Sequence, residues 1–186
     1  AASVASGSTP APAVANSEPA TAADPFELVA GGAREDLAVS IGFASNGTAP
    51  LPSAIPRLSR VARTLREHPE ILLVQVQGHA DERGEHGHNL EVTRARAAAV
   101  LEALVTLGVE RERLHGAGYG ARCPADPACR GATAPESCHA ADRWENDRRV
   151  VFVPLKAGTR SLRGELVCAA AAELIPPEDR AFHSGR

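Results

Sequence analysis

Apolar and polar positions alternate in LAVSIGF, which predicts a strand over 37–43. Asn46-Gly47 then reads as a turn. In the next stretch, LPSAIPRLSRVARTLREHPE, the apolar residues Ile55, Leu58, Val61, Ala62 and Leu65 recur at three- and four-residue steps, the period of a helix. Pro56 suits the first turn of that helix, and Pro69 falls just past its end. ILLVQVQ, at 71–77, is aliphatic and β-branched and alternates only near its end, as in a strand buried on at least one face. The pattern becomes helical again over 89–107, with Ala97, Val100, Leu101 and Leu104 on one side and Gly108 where a helix C-terminus favours glycine. RERLHGAGYG, 111–120, reads as a short strand running into glycines. CPADPACRGATAPESCHAADRWEN is a long loop, and RRVVFVPL, 148–155, a closing strand. The resulting order is β-α-β-α-β-loop-β. It predicts an α/β domain built as a two-layer (α+β) sandwich, with helices on one face of a sheet.

Composition divides the chain into three parts. Residues 1–35 are rich in Ala, Pro and Ser, with no aromatic before Phe26, and are expected to form a disordered tether. Residues 36–156 carry the domain, and 157–186 form a C-terminal extension whose GELVC suits a strand or the start of an Ala-rich helix. A net charge of −3 gives no global basic field, so nucleic acid is not an expected partner. No run approaches the ~18 apolar residues of a membrane span, and residues 1–25 lack the basic start and apolar stretch of a signal peptide. Contact with a membrane is therefore expected only through a segment not present in this chain.

The four cysteines are Cys123, Cys129, Cys138 and Cys168. An even count, most of it within a loop rich in Pro and Asp, favours disulfides in an oxidising compartment, with the pairing open. The rival is a zinc knuckle of Cys123, Cys129, Cys138 and His139, but the spacings lack the close C-x2-C pairs of common zinc sites.

The polar stretch GHADERGEHGHNLEVTRARAAAV, 78–100, carries the candidate chemistry. Asp81 falls just past the C-terminal end of a strand, where open sheets place ligands. Asn89, Thr93 and Arg96 are spaced to share one stripe of the following helix. A carboxylate that attracts an ammonium thus faces a guanidinium that can grip a carboxylate with two hydrogen bonds, a site suited to a zwitterionic amino-acid head group. An ordinary surface ion pair between Asp81 and Arg96 is the plain alternative. His86 and His88 flank Gly87 and are read as solvated loop residues, so no metal is expected. No nucleophile motif and no carboxylate pair at helical spacing accompanies them, so no enzyme is expected.

The same run resembles the OmpA-like peptidoglycan-binding domain. That family's pattern is G-H-T-D, a Gly three residues after the Asp, an Asn eight after it, Leu-Ser at eleven and twelve, and Arg-Ala at fifteen and sixteen. Asp81, Gly84, Asn89, Arg96 and Ala97 match; Val92-Thr93 stand for Leu-Ser, and Ala80 replaces Thr. GFASN at 42–46 is similar to the family's F-D-x-N, with Ala44 where an acid is common. LGVERERLHGAGYGARCP is similar to its G-V-x-x-x-R-L…G-Y-G…P segment, and DRRVVFV to its closing N-R-R-V strand, with Asp147 for Asn. The resemblance spans 37–156 in the correct order and implies the β-α-β-α-β-β fold.

It also implies a function: non-covalent binding of peptidoglycan through the diaminopimelate residue of the stem peptide, without cofactor or cleavage. An envelope component in the periplasm, associated with the outer membrane of a Gram-negative cell, would thereby be anchored to the wall. On this resemblance Asp81 holds the diaminopimelate ammonium and Arg96 its carboxylate, while Asn46, Asn89 and Arg148 line the cleft. Ala80 and Thr93 flank the same site. The alternative function is a protein-interaction or metal-sensing module using the Cys-rich loop 120–147.

Overall fold

Two strands rich in β-branched residues form the centre of the domain, because only they can be buried on both faces. A computed structural model of the chain describes residues 32–45, 47–129, 134–157 and 160–161. The elements are α1 (Gly32–Leu37), β1 (Ile41–Gly42), α2 (Ile55–Glu67), β2 (Ile71–Gly78), α3 (His86–Thr106), β3 (Leu114–Gly118), α4 (Ala141–Asp147), β4 (Arg149–Ala157) and β5 (Arg160–Ser161). The sheet runs β1-β4-β2-β3, with β5 added to β4. β2 pairs antiparallel with β4 and parallel with β3, so α3 is the crossover of a β-α-β unit.

The helices cover one face. Val74 and Val76 of β2 join Leu58, Val61 and Leu65 of α2 and Ala97, Val100 and Leu104 of α3 in a single core. α3 lies unusually close to the sheet. A Cβ added at Gly78 would sit 2.1 Å from the Thr93 carbonyl oxygen, so only glycine admits the helix at that depth. The other face of β2 is buried too. Gln75, Gln77 and His79 are shielded there, with the Tyr119 hydroxyl donating to Gln75 Oε1 at 2.9 Å and Gln77 Nε2 to the same oxygen at 2.8 Å.

Several expected boundaries move. The strand expected over 37–43 shrinks to Ile41–Gly42, because Leu37 ends a helix instead. Ala33 and Leu37, four apart, both enter the core, and Thr64 Oγ1 donates to Asp36 Oδ2 at 2.6 Å, tying α1 to α2. α1 begins within the stretch read as tether. Ile55, assigned to the buried face of α2, is half exposed at the first residue of the helix. α3 starts at His86 rather than Asn89, so His86 and His88 are exposed on its first turn and not in a loop. The long loop contains short 3-10 turns at Pro127–Cys129 and Glu136–His139, followed by α4. Helix α2 begins and ends as its prolines predict, and Gly108 has a φ of +89° just after α3.

Candidate functional site: a guanidinium-rich cleft beyond the end of β2

Sheet hydrogen bonding continues past β2, with the His79 N–H donating to the Arg149 carbonyl at 2.8 Å and the Ala80 N–H to that of Gly120 at 2.9 Å. This delivers Asp81 to the sheet rim with its position fixed. The chain then reverses through Gly84, whose φ of +88° suits glycine, and enters α3. Asn89 holds the reversal from within: its Nδ2 donates to the Arg83 carbonyl at 2.9 Å and lies 3.4 Å from that of Asp81.

Asp81, Arg96, Asn89, Ala80 and Arg148 come together around a cleft of about 190 Å³, with Ser45, Arg83, Gly84, His88 and Val92 completing its wall. Asp81 and Arg96 do not pair. Both oxygens of Asp81 are taken by other guanidiniums: Arg83 donates its backbone N–H (3.1 Å) and Nε (3.0 Å) to Oδ1 and Nη2 (2.9 Å) to Oδ2, and Arg148 Nη1 also reaches Oδ2 at 2.9 Å. Burial pulls the Asp81 carboxyl upward, but the hydrogen bonds from Arg83 and Arg148 outweigh it and hold the group below its ordinary value. The plain surface ion pair with Arg96 is thus replaced by a partly buried cluster.

Arg96 is buried at 1% exposure. Its Nε donates to the Gly47 carbonyl at 2.8 Å and Nη2 to that of Ala44 at 3.1 Å, and its guanidinium lies 5.1 Å from the centre of the Phe43 ring. Desolvation, then repulsion from Arg148, lower its pKa, with Asp81 opposing. Such a guanidinium is fixed in direction and short of anions.

Thr93 turns away from the cleft. Its Oγ1 is 2.8 Å from the Asn89 carbonyl and accepts the Gly120 N–H at 3.1 Å, so it fastens α3 to the chain after β3 rather than lining the site. Asn46 lies outside the described residues; its neighbours Ala44 and Gly47 supply the carbonyls that grip Arg96.

The structure adds a rim that the motif does not contain. Arg83 stacks over Trp144 at 4.1 Å, Trp144 Nε1 donates to Glu82 Oε1 at 3.1 Å, and His139 bonds the same carboxylate. Arg83 was discernible as a basic residue two positions after Asp81; Trp144 carried only the signal of being the chain's single tryptophan. The loop bearing His139 and Trp144 is stapled by the Cys129–Cys138 disulfide, and Cys123 is disulfide-bonded as well. None of the described cysteines is free, so the expected disulfides are present here and the rival zinc knuckle is not; Cys168 lies outside the described residues. Among the described residues no group of three or more His, Cys, Asp or Glu is placed to hold a metal, and no helix is long and apolar enough to cross a membrane.

A two-layer α/β domain with a charged cleft beyond a strand end is a ligand-binding framework rather than a barrel or a helical bundle. The chain belongs to the OmpA family, whose model matches residues 43–136. It is similar to the peptidoglycan-associated lipoprotein of Mesorhizobium japonicum, 32% identical over 132 residues, covering 69% of this chain and 72% of that protein. The crystal structure of the peptidoglycan-associated lipoprotein from Burkholderia pseudomallei superimposes with a TM-score of 0.53 at 28% identity, covering 61% of this chain and 87% of that one. The C-terminal domain of Helicobacter pylori MotB shares the fold, with a TM-score of 0.52 at 19% identity over 61% of this chain and 81% of its own.

Proposed function

We propose that the chain binds peptidoglycan without cleaving it, through the diaminopimelate residue of the stem peptide, and so holds an envelope component to the cell wall. The observation that carries this reading is that Asp81 and Arg96 line one cleft with opposite charges and do not neutralise each other. Asp81 receives the ammonium of the head group and Arg96 its carboxylate, with Asn89, Ala80 and Arg148 completing the walls. The names of the peptidoglycan-associated relatives support the same ligand class. Asp81, the only carboxylate lining the cleft among the described residues, is pinned by guanidiniums, which suits a fixed counter-charge better than a proton shuttle and supports binding without catalysis. In this reading the wall-binding unit starts at α1, at Gly32, and runs to 156, the residues before it tether it, and the protein works on the periplasmic side of the outer membrane.

Co-sedimentation with purified diaminopimelate-type sacculi tests the proposal. Wild type is expected in the pellet and Asp81→Asn in the supernatant, since loss of one partner of a buried charge contact costs about 2–5 kcal/mol. Wild type left in the supernatant would refute wall binding.

A further inference from the structure

Asp81 has no acceptor position to spare. A carboxylate offers about four lone-pair sites, and those of Asp81 receive four donors, three from Arg83 and one from Arg148. A ligand ammonium therefore reaches Asp81 only by taking the place of a donor already there. The Arg148 side chain is 16% exposed and that of Arg83 47%, so Arg83 is the one able to leave. It has a surface to turn on, the Trp144 ring, held in place by Glu82.

Charge decides where the displaced guanidinium goes. Among the described residues, Arg83, Arg96 and Arg148 line the cleft against the single carboxylate of Asp81, while Glu82 faces His139 and Trp144 and is not part of the wall. A head group with one ammonium and one carboxylate leaves that positive surplus unchanged. Arg148 Nε is, in addition, buried without a hydrogen-bond partner among the described residues. The cleft is built for more negative charge than one zwitterion brings.

We propose that Arg83 is a specificity-determining arm that, on binding, exchanges Asp81 for a second carboxylate of the ligand while the ligand's ammonium takes its place on Asp81. Trp144 is the positioning residue on which the guanidinium turns. The inference rests on the peptidoglycan reading and deepens it: a stem peptide carries carboxylates on its glutamate and at its C-terminus besides the one on the diaminopimelate head group. The exchange is of ion pairs only, and no covalent bond changes.

The test is calorimetric titration of wild type and Arg83→Gln with three soluble stem tetrapeptides: one with every carboxylate free, one amidated at the glutamate α-carboxyl and one amidated at the C-terminus. Trp144 emission is followed in parallel, the chain having no other tryptophan. Wild type is expected to bind one amidated peptide roughly tenfold more weakly than the free peptide, the loss of a charge-assisted pair. Arg83→Gln is expected to bind those two peptides within about twofold of each other, and the free peptide should shift Trp144 emission in wild type but not in the variant. Wild type binding all three peptides alike would overturn the proposal, as would tighter binding of the free peptide by Arg83→Gln, which would make Arg83 a mere competitor. If wild type binds none of the three, the peptidoglycan reading itself falls.

Discussion

Asp81 and Arg96 are fifteen positions apart in sequence, and the motif spacing already placed them in one site. What it did not contain was their partners. Whether a guanidinium turns to a carboxylate two residues away or to a ligand is set by rotamers and by the neighbouring Trp144, and neither is written in hydrophobic period. The same limit hid Thr93, whose place on the stripe with Asn89 and Arg96 is right but whose hydroxyl serves the chain after β3. His79 gives a prediction at this scale. Burial first, and Arg149 second, push its imidazole down to about 3, and neither ring nitrogen has a hydrogen-bond partner among the described residues. A histidine whose folded pKa is depressed stabilises the fold while neutral. The unfolded chain takes up its proton near pH 6.5 and the native chain only near 3. Stability from this residue is therefore full above about pH 6.5 and falls by about 1.4 kcal/mol per pH unit below it. Urea unfolding between pH 7 and pH 4 should show a shallower decline in His79→Gln than in wild type; equal slopes would contradict a neutral buried imidazole.

Among the elements, the long ones were legible because each keeps one period: α2 and α3 by their apolar stripes, β2 and β4 by their β-branched runs. The short ones were not. LAVSIGF alternates like a strand, yet the Ala33–Leu37 spacing and the Asp36–Thr64 bond draw its beginning into α1. α4 is only seven residues long, too short to show a period within a loop rich in Pro and Asp. The close approach of α3 yields a test. Gly78→Ala places a methyl against the Thr93 backbone and should cost about 3 kcal/mol or more, measured as a drop in denaturation midpoint. An unchanged midpoint would mean that α3 is not fixed at this depth. The Cys129–Cys138 bridge spans a sequence separation of 9, so its loss removes about 2–3 kcal/mol of loop constraint. Cys129→Ser with Cys138→Ser should speed amide exchange in α4 and shift Trp144 emission to the red, while β2 and β4 keep their protection. Exchange in α4 at the wild-type rate would show that the staple does not hold the rim.

For the whole molecule, element order was enough to give a two-layer α/β sandwich, since a βαβ crossover leaves few topologies open. Sheet order and the burial of Gln75 and Gln77 were not readable, because a polar residue on an alternating strand looks the same whether it meets water or a hydrogen-bonded interior. The central claim concerns the site: a fixed carboxylate and a fixed guanidinium that together recognise a zwitterion. It is tested most directly by calorimetric titration of the intact chain with two stem tripeptides, one carrying diaminopimelate and one carrying lysine, which keeps the ammonium and lacks the head-group carboxylate. The account predicts saturable binding of the diaminopimelate peptide and at least about thirtyfold weaker binding of the lysine peptide, because Arg96 would be left buried and unpaired. Equal affinity for the two would contradict it, since the guanidinium at the centre of the cleft would then have no part in recognition.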